Sequence, residues 1–409
     1  MNEFVETLLD LPWQTCDPKP AYDVVIIGGG GHGLSTAYYL ATRHGITNVC
    51  VLDANYIGSG NSGRNTTIIR SNYGIPESVR FYQHSLELYQ GLEAETGSWI
   101  MHNTKGQIWL AHSVTAARTE QTRALMNQAC GAKTDYILPD EIKARCPQID
   151  LTGAGRYPVR GASYHHEGAT ARHDRVVWTY AQGALRKGVH VFQHTPVTGL
   201  VIESSSSGVD RVTGVRTPNG VISAGVVLSA VGGHVSTVAG WAGVRLPIRT
   251  HALQAFVTNA YSQEFAPIVS SNDLVFYISQ TPRGQMLIGA EYDRQASYRT
   301  ATSYAYLQAC SAKAVTMFPF LSKLRILRSW AGVCDVSTDF SPILGHTQVP
   351  GFMLSTGWGT WGFKAIPAAG EGLAQLIATG TAPRLIAPFG LDRFANEVAM
   401  ADPSSAGTR

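Results

Sequence analysis

Residues 22–33 read Tyr-Asp-Val-Val-Ile-Ile-Gly-Gly-Gly-Gly-His-Gly, and Val49-Cys-Val-Leu-Asp53 follows after one helical stretch. Tyr22–Ile27 is an apolar, β-branched run that predicts a strand. Gly28-x-Gly30-x-x-Gly33 comes directly after it. Leu34–His44 then reads as a helix, with Gly45 as its stop, and Val49–Asp53 as a second short strand. The whole is a βαβ unit. Glycines in this spacing form a weak pattern alone, but a preceding strand, a following helix and an acid at the end of the next strand make it specific for a dinucleotide. The missing side chains let backbone amides approach a pyrophosphate, and the helix N-terminus supplies partial positive charge. Asp53 can accept hydrogen bonds from ribose hydroxyls. A Gly-rich turn without a ligand is the plainer alternative, and the context weighs against it.

Working outward, three further glycine turns appear. They are Gly58-Ser-Gly-Asn-Ser-Gly-Arg64, Val231-Gly-Gly233 and Gly357-Trp-Gly-Thr-Trp-Gly362. Turns so far apart in the chain point to an extended cofactor, FAD rather than NAD, held by a domain assembled from separated segments. Helices are expected near 75–96, 115–129, 172–187, 302–317 and 365–379. Strands 197–202, 212–217 and 221–230 form a β-meander, with Ser204–Ser207 as a hairpin loop, and residues 245–330 alternate strands with one helix. The predicted fold is α/β with mixed α+β character: a Rossmann-type βαβ unit with a β-meander, and a second domain with a mixed, largely antiparallel sheet. The expected layout is an arm over 1–20, a cofactor domain from 21–95, 160–235 and 331–390, a substrate domain from 96–159 and 236–330, and a loosely held tail over 391–409.

Composition excludes several classes. With 44% hydrophobic residues in 409, disorder is ruled out for most of the chain. A net charge of +3 without a basic run argues against nucleic-acid binding. Cys16, Cys50, Cys130, Cys146, Cys310 and Cys334 form no CxxC pair, which disfavours a zinc ribbon or thioredoxin motif and suits reduced cytosolic thiols. The N-terminus lacks a signal peptide's basic start and apolar run, and no apolar stretch is long enough to cross a membrane. A cytoplasmic protein with no metal is the expectation.

Three longer motifs narrow the reading: Asn65-Thr-Thr-Ile-Ile-Arg-Ser-Asn-Tyr73, Gly168-Ala-Thr-Ala-Arg-His-Asp174 and Gly357-Trp-Gly-Thr-Trp-Gly-Phe-Lys364. With them, residues 20–390 resemble the FAD-dependent amine oxidases (the sarcosine, glycine and D-amino-acid oxidase group), and most closely the β subunits of heterotetrameric sarcosine oxidases. The resemblance implies a glutathione-reductase-like FAD domain and a substrate domain over the flavin. It implies noncovalent FAD that oxidises a secondary amine, sarcosine, to its imine. Electrons then pass to FMN attached covalently at His173, and from there to O2, giving H2O2. Glycine is released with formaldehyde, or with methylenetetrahydrofolate where a partner subunit holds tetrahydrofolate. Partners α, γ and δ complete such enzymes. Cofactor contacts are expected at Gly28, Gly30, Gly31, His32, Gly33, Asp53, Asn61, Arg64, Thr67, Ile69, Val197, Gly359, Gly362 and Lys364.

Arg70 and Lys364 match the family's carboxylate-binding pair. A guanidinium can grip a carboxylate bidentately, and the lysine adds a second positive charge. Read plainly, Arg70 could be a surface ion-pair partner and Lys364 a solvated residue at a helix start. The run Thr66–Ile69 before Arg70 leans apolar, however, and a buried unpaired arginine is expensive. His173 beside Arg172 and Asp174 at a helix start could be a simple surface or capping residue. Monomeric relatives place a lysine on a substrate-domain strand to help oxygen react. Aligned on Gly289 that position is Leu287, which suits electrons leaving for a second flavin. Cys334 lies near the place where monomeric relatives attach FAD, but out of register. Of Phe276 and Tyr277, one is expected to face the cavity, and His251 is expected to pack. A stand-alone amino-acid oxidase, a related proline or opine dehydrogenase β chain, and an electron-transfer scaffold without a substrate site remain as alternatives.

Overall fold

The computed structural model describes residues 17–204 and 210–402. Most of the N-terminal arm, Cys16 and residues 205–207 of the expected Ser204–Ser207 loop lie outside the described residues.

The opening unit forms as its residues dictate. β1 (Ala21–Ile27), α1 (Gly31–His44) and β2 (Val49–Leu52) make a parallel βαβ, with Val24 beside Val49 and Ile27 beside Leu52. α1 ends where expected, on Gly45 in the left-handed conformation. β1 is central in an eight-stranded sheet. Its other neighbour is Gly220–Ser229, the last strand of an antiparallel meander. Phe352–Thr356 pairs in parallel with that strand, so a segment late in the chain runs close to the first glycine turn. Both faces of this sheet are covered, and Val24–Ile27 of β1 and all of β2 are buried and apolar.

A second eight-stranded sheet, mostly antiparallel, draws on 107–111, 134–137, 161–165, 248–296 and 326–337. It carries its own core, with Ile108, Leu110, Val269 and Phe276 among its members. Gly161–His165 and Ile326–Ser337 pair in this sheet, although the expected boundaries put 161–165 and most of the later strand on the cofactor side. Their apolar alternation fits either sheet, and partner register decides. A third, small sheet joins Ile68–Ile69, Ala169–Thr170 and Asn103–Thr104.

Of the tail expected to be loose over 391–409, the described part, up to residue 402, is held in place. Arg393 is buried against Asp339 at 2.8 Å, and the buried carboxylate of Asp402 accepts from the Gly74 amide at 3.0 Å. A paired buried charge and an anchoring carboxylate hold this segment where composition suggested a free end.

Candidate active site

Four glycine turns converge on one cavity of about 740 Å³. Its geometry follows from close packing. Gly28 has φ +110°, and a Cβ there would lie 2.5 Å from the Ala230 carbonyl oxygen. Gly31 lets Ile366 of the C-terminal helix Gly362–Thr379 approach α1, and Ser35 Oγ donates to the Ile366 carbonyl at 2.9 Å. The two helices thereby bring their N-termini to the same cavity; neither N-cap residue caps its own first turn, and only the Gly31 amide of α1 meets a side chain, Ser62 Oγ. Uncapped amide groups of this kind attract anions and electron-rich atoms.

At the α1 end, Asp53 Oδ2 accepts from the Gly29 amide at 2.8 Å and Ser62 Oγ accepts from the Gly31 amide at 2.9 Å. Asn61 is committed to the protein. Its amide donates to the Val333 carbonyl at 2.6 Å and accepts from the Val333 amide at 2.8 Å, clipping the second glycine loop to the Ile326–Ser337 strand. Arg64 turns back onto the carbonyls of Ser59 and Gly60. His32 stacks on Trp358 with ring centroids 4.0 Å apart. Burial holds the His32 imidazole neutral, pushing its pKa down to about 3.

At the other end lies a hub that motif reading missed. Asp335 is fully buried, and its Oδ2 accepts from Thr356 Oγ1 at 2.8 Å, the Gly357 amide at 2.6 Å and the Trp358 amide at 3.3 Å. Burial raises its pKa, opposed by these hydrogen bonds. The carboxylate thus fixes the Gly357–Gly362 turn from a strand of the other sheet.

Arg70 and Lys364 meet at this end. Arg70, 5% exposed, follows the short Ile68–Ile69 strand. Its Nη1 donates to the Asn72 carbonyl at 2.8 Å and to Asn72 Oδ1 at 3.1 Å. The guanidinium lies 4.1 Å from the Tyr73 ring centroid and 4.7 Å from that of Trp109. No carboxylate pairs with it within ion-pair distance among the described residues. Lys364, 8% exposed, donates from Nζ to the Thr360 carbonyl at 3.1 Å. Ser85 Oγ and Tyr89 Oη donate to the carbonyls of Lys364 and Phe363, fixing that helical turn. Burial first, and the Arg70 charge second, push the Lys364 ammonium well below its ordinary range.

The cavity brings together Gly28, Gly30, Gly31, His32, Asp53, Asn61, Arg64, Thr67, Arg70, Val197, Gly359, Gly362 and Lys364. Gly33, Ile69 and His173 are not part of its wall. A Cβ at Gly33 would lie 2.0 Å from the Gly28 carbonyl, so this glycine serves the turn itself. Ile69 alternates inward into the core while Ile68 faces the cavity. Leu287 is also off the wall, where Ala290 represents that strand. Phe276 and Tyr277 both border the cavity, and Tyr277 Oη accepts from Thr66 Oγ1 at 3.1 Å. Cys334 lines it as a buried thiol with a raised pKa. His251 packs, with Nδ1 2.8 Å from the Asp293 carbonyl. His173 starts the His173–Arg186 helix, half-buried and on the far side of the second glycine loop, where Val177 touches Gly58. Gln107 and Trp109, which no motif flagged, stand beside Arg70 on the wall.

These features fit FAD: a cavity of about 740 Å³ lined by four glycine turns, no Cβ at the first of them, and two helix N-termini brought to it. Among the described residues no helix is long and apolar enough to cross a membrane, and no cluster of His, Cys, Asp or Glu could hold a metal.

Comparison with known proteins agrees. The family described as FAD dependent oxidoreductase matches residues 23–376. The chain is 40% identical over 382 residues to the sarcosine oxidase subunit beta of Arthrobacter sp, covering 93% of both chains. It is 41% identical to the same subunit of Rhizobium meliloti (strain 1021), covering 93% of this chain and 90% of that one. The crystal structure of L-proline dehydrogenase from P. horikoshii superposes with a TM-score of 0.86 at 27% identity, over 93% of this chain and 99% of that one. The chain belongs to the FAD dependent oxidoreductase family, as a relative of the sarcosine oxidase β subunits.

Proposed function

We propose that this chain oxidises a carboxylate-bearing secondary amine, of which sarcosine is the simplest case, as the FAD-bearing β subunit of a multi-subunit oxidase. The observation that carries this is the buried Arg70, which has no carboxylate within ion-pair distance among the described residues and whose charge reaches Lys364, on the wall of the FAD-type cavity. Such a guanidinium is held at a cost that a substrate carboxylate offsets.

In this reading FAD, once bound, supplies the hydride acceptor for the amine's C–H bond. The glycine turns, Asp53, His32, Thr67, Val197, Gly359 and Gly362 hold it. Arg70 grips the substrate carboxylate and Lys364 adds the second positive charge, orienting the amine carbon. The aromatic walls, Tyr277, Phe276 and Trp109, exclude water. The amine loses a hydride from carbon and a proton from nitrogen, and the resulting imine hydrolyses to glycine and formaldehyde, or passes its carbon to tetrahydrofolate on a partner.

The second part of the proposal is FMN on His173, with O2 as the final acceptor and α, γ and δ partners. It is supported by the position of His173 one loop behind the cavity, and by burial, which lowers its pKa and favours the neutral imidazole that bond formation needs. Arg175, in the same helix turn, lies 5.0 Å over the ring of Trp99, which is 60% exposed. An exposed tryptophan there suits a partner surface.

A related dehydrogenase that passes electrons elsewhere is the second reading, favoured by the likeness to L-proline dehydrogenase. The test has two arms. Anaerobic mixing with sarcosine should bleach the flavin, and no bleaching with sarcosine or proline sinks the amine reading. Acid denaturation, trypsin digestion and mass analysis should find FMN on the peptide containing His173. Release of all flavin as free FAD would refute the two-flavin arrangement.

A further inference from the structure

The wall beside Arg70 carries more hydrogen-bonding capacity than a carboxylate and an amine require. Gln107 and Trp109 are two residues apart on the Gln107–Ala111 strand, so they share a face, while Ile108 and Leu110 point into the second core. The neighbouring strand Ile268–Ser271 runs parallel, with Ile268 beside Gln107 and Ser270 beside Trp109. Ser270 lies on the cavity side there, and Asn272, two residues further on, also borders the cavity.

Gln107 is 1% exposed and Trp109 8%. Gln107 donates from Nε2 to Ser270 Oγ at 3.0 Å, yet its Oε1 has no partner. Trp109 Nε1 has none, nor has Asn272 Nδ2. One open acceptor and two open donors are therefore buried in the wall around a single stretch of cavity. Arg70 stacks on the Trp109 ring, which places this stretch against the carboxylate grip. Buried polar groups left unpaired are rare and costly, and cluster where a ligand completes them.

We propose that Gln107, Trp109 and Asn272 form a second substrate subsite that takes a neutral donor–acceptor group, a hydroxyl or carboxamide, on an arm of an amino acid larger than N-methylglycine. The inference rests on the reading of Arg70 as the carboxylate grip. The chemistry selects the group. Two neutral N–H donors and one amide oxygen match a group that both accepts and donates. A second carboxylate would meet the Gln107 oxygen with no proton to offer. The fourth member, Ser270, locks the Gln107 amide so that its oxygen is the free end.

The test uses ethers, which keep the shape and carboxylate but cannot be dehydrogenated. Calorimetry on the FAD-loaded chain compares (2-hydroxyethoxy)acetate with propoxyacetate, and 3-hydroxy-2-methoxypropanoate with 2-methoxybutanoate. Each pair differs by hydroxyl against methyl, with the arm on the heteroatom side or on the α carbon. In at least one pair the hydroxyl compound should bind about tenfold or more tightly. W109F and N272L should bring that ratio to near one. Equal binding in both pairs overturns the subsite, as does a preference that survives both substitutions. Amine oxidation is scored separately by flavin bleaching with N-(2-hydroxyethyl)glycine and sarcosine. Silence there removes the proposed reaction while leaving the binding ratio to judge the subsite.

Discussion

Arg70 and Lys364 pose the central question at the scale of single residues, since each is a cation held out of water. Removing one side of a buried charge contact costs about 2–5 kcal/mol, so R70Q should raise the KM for a carboxylate substrate at least about thirtyfold. The turnover number should change less if the grip mainly binds, and steady-state kinetics separates the two. R70K should fare little better, because an ammonium lacks the planar fork and the stack on Tyr73 and Trp109. Lys364 makes a pH prediction. Its pKa is depressed in the free site, and a bound carboxylate favours the charged form, so binding draws in a proton. Affinity for an unreactive carboxylate should therefore fall as pH rises through the interval between the free and bound pKa values, at most tenfold per pH unit. A flat profile that becomes no steeper in the wild type than in K364M would refute this.

At the scale of elements, the site depends on how turns are tied to strands. Asp335 anchors the 356–358 turn by three hydrogen bonds from its place in the second sheet. D335A would leave two amides and a hydroxyl unsatisfied in a buried place, a loss of about 3 kcal/mol. The thermal midpoint should drop, and the flavin content of the purified protein should drop with it. D335N keeps one acceptor oxygen and should fall between. If D335A loses stability but holds a full complement of flavin, the turn is not what retains the cofactor. The same comparison shows what could be read beforehand. The βαβ unit was legible because its information is local: a β-branched strand, a glycine turn, a helix stop. Arg70 and Lys364 were legible as types in motifs. Asp335, Gln107 and Trp109 were not, because their roles arise from register between strands far apart in the chain, and nothing in their immediate neighbours announces it. Which of Ile68 and Ile69 borders the cavity was not legible either, because one residue of register decides which face looks inward.

For the whole molecule, two wholly desolvated histidines set an acid limit. Burial brings His32 down to about 3 and His165 down to about 4. Both stay neutral when folded, whereas the unfolded chain protonates them near the ordinary value of about 6.5. Stability from these groups is therefore complete above that value and is lost as pH falls toward 4, by about 1.4 kcal/mol per pH unit for each histidine. The thermal midpoint should decline over this interval. H165Q, which loses one linked proton, should flatten the decline by one histidine's share, and an unaltered slope would remove His165 as a cause. The C-terminal segment also reaches back into the molecule, through Asp402 to Gly74 and through Arg393 to Asp339. Unfolding should consequently be felt at the site even when it begins at the chain's end.

The crossing of early and late segments at the cavity has a consequence for biosynthesis. The first glycine turn is translated long before Phe352–Thr356 and the Asp335-anchored turn that complete the pocket. A ribosome-bound chain can therefore build most of the second sheet while still unable to keep a flavin. Cofactor capture is then a late checkpoint: yellow colour on a nascent or truncated chain reports that its final strand and helix have docked.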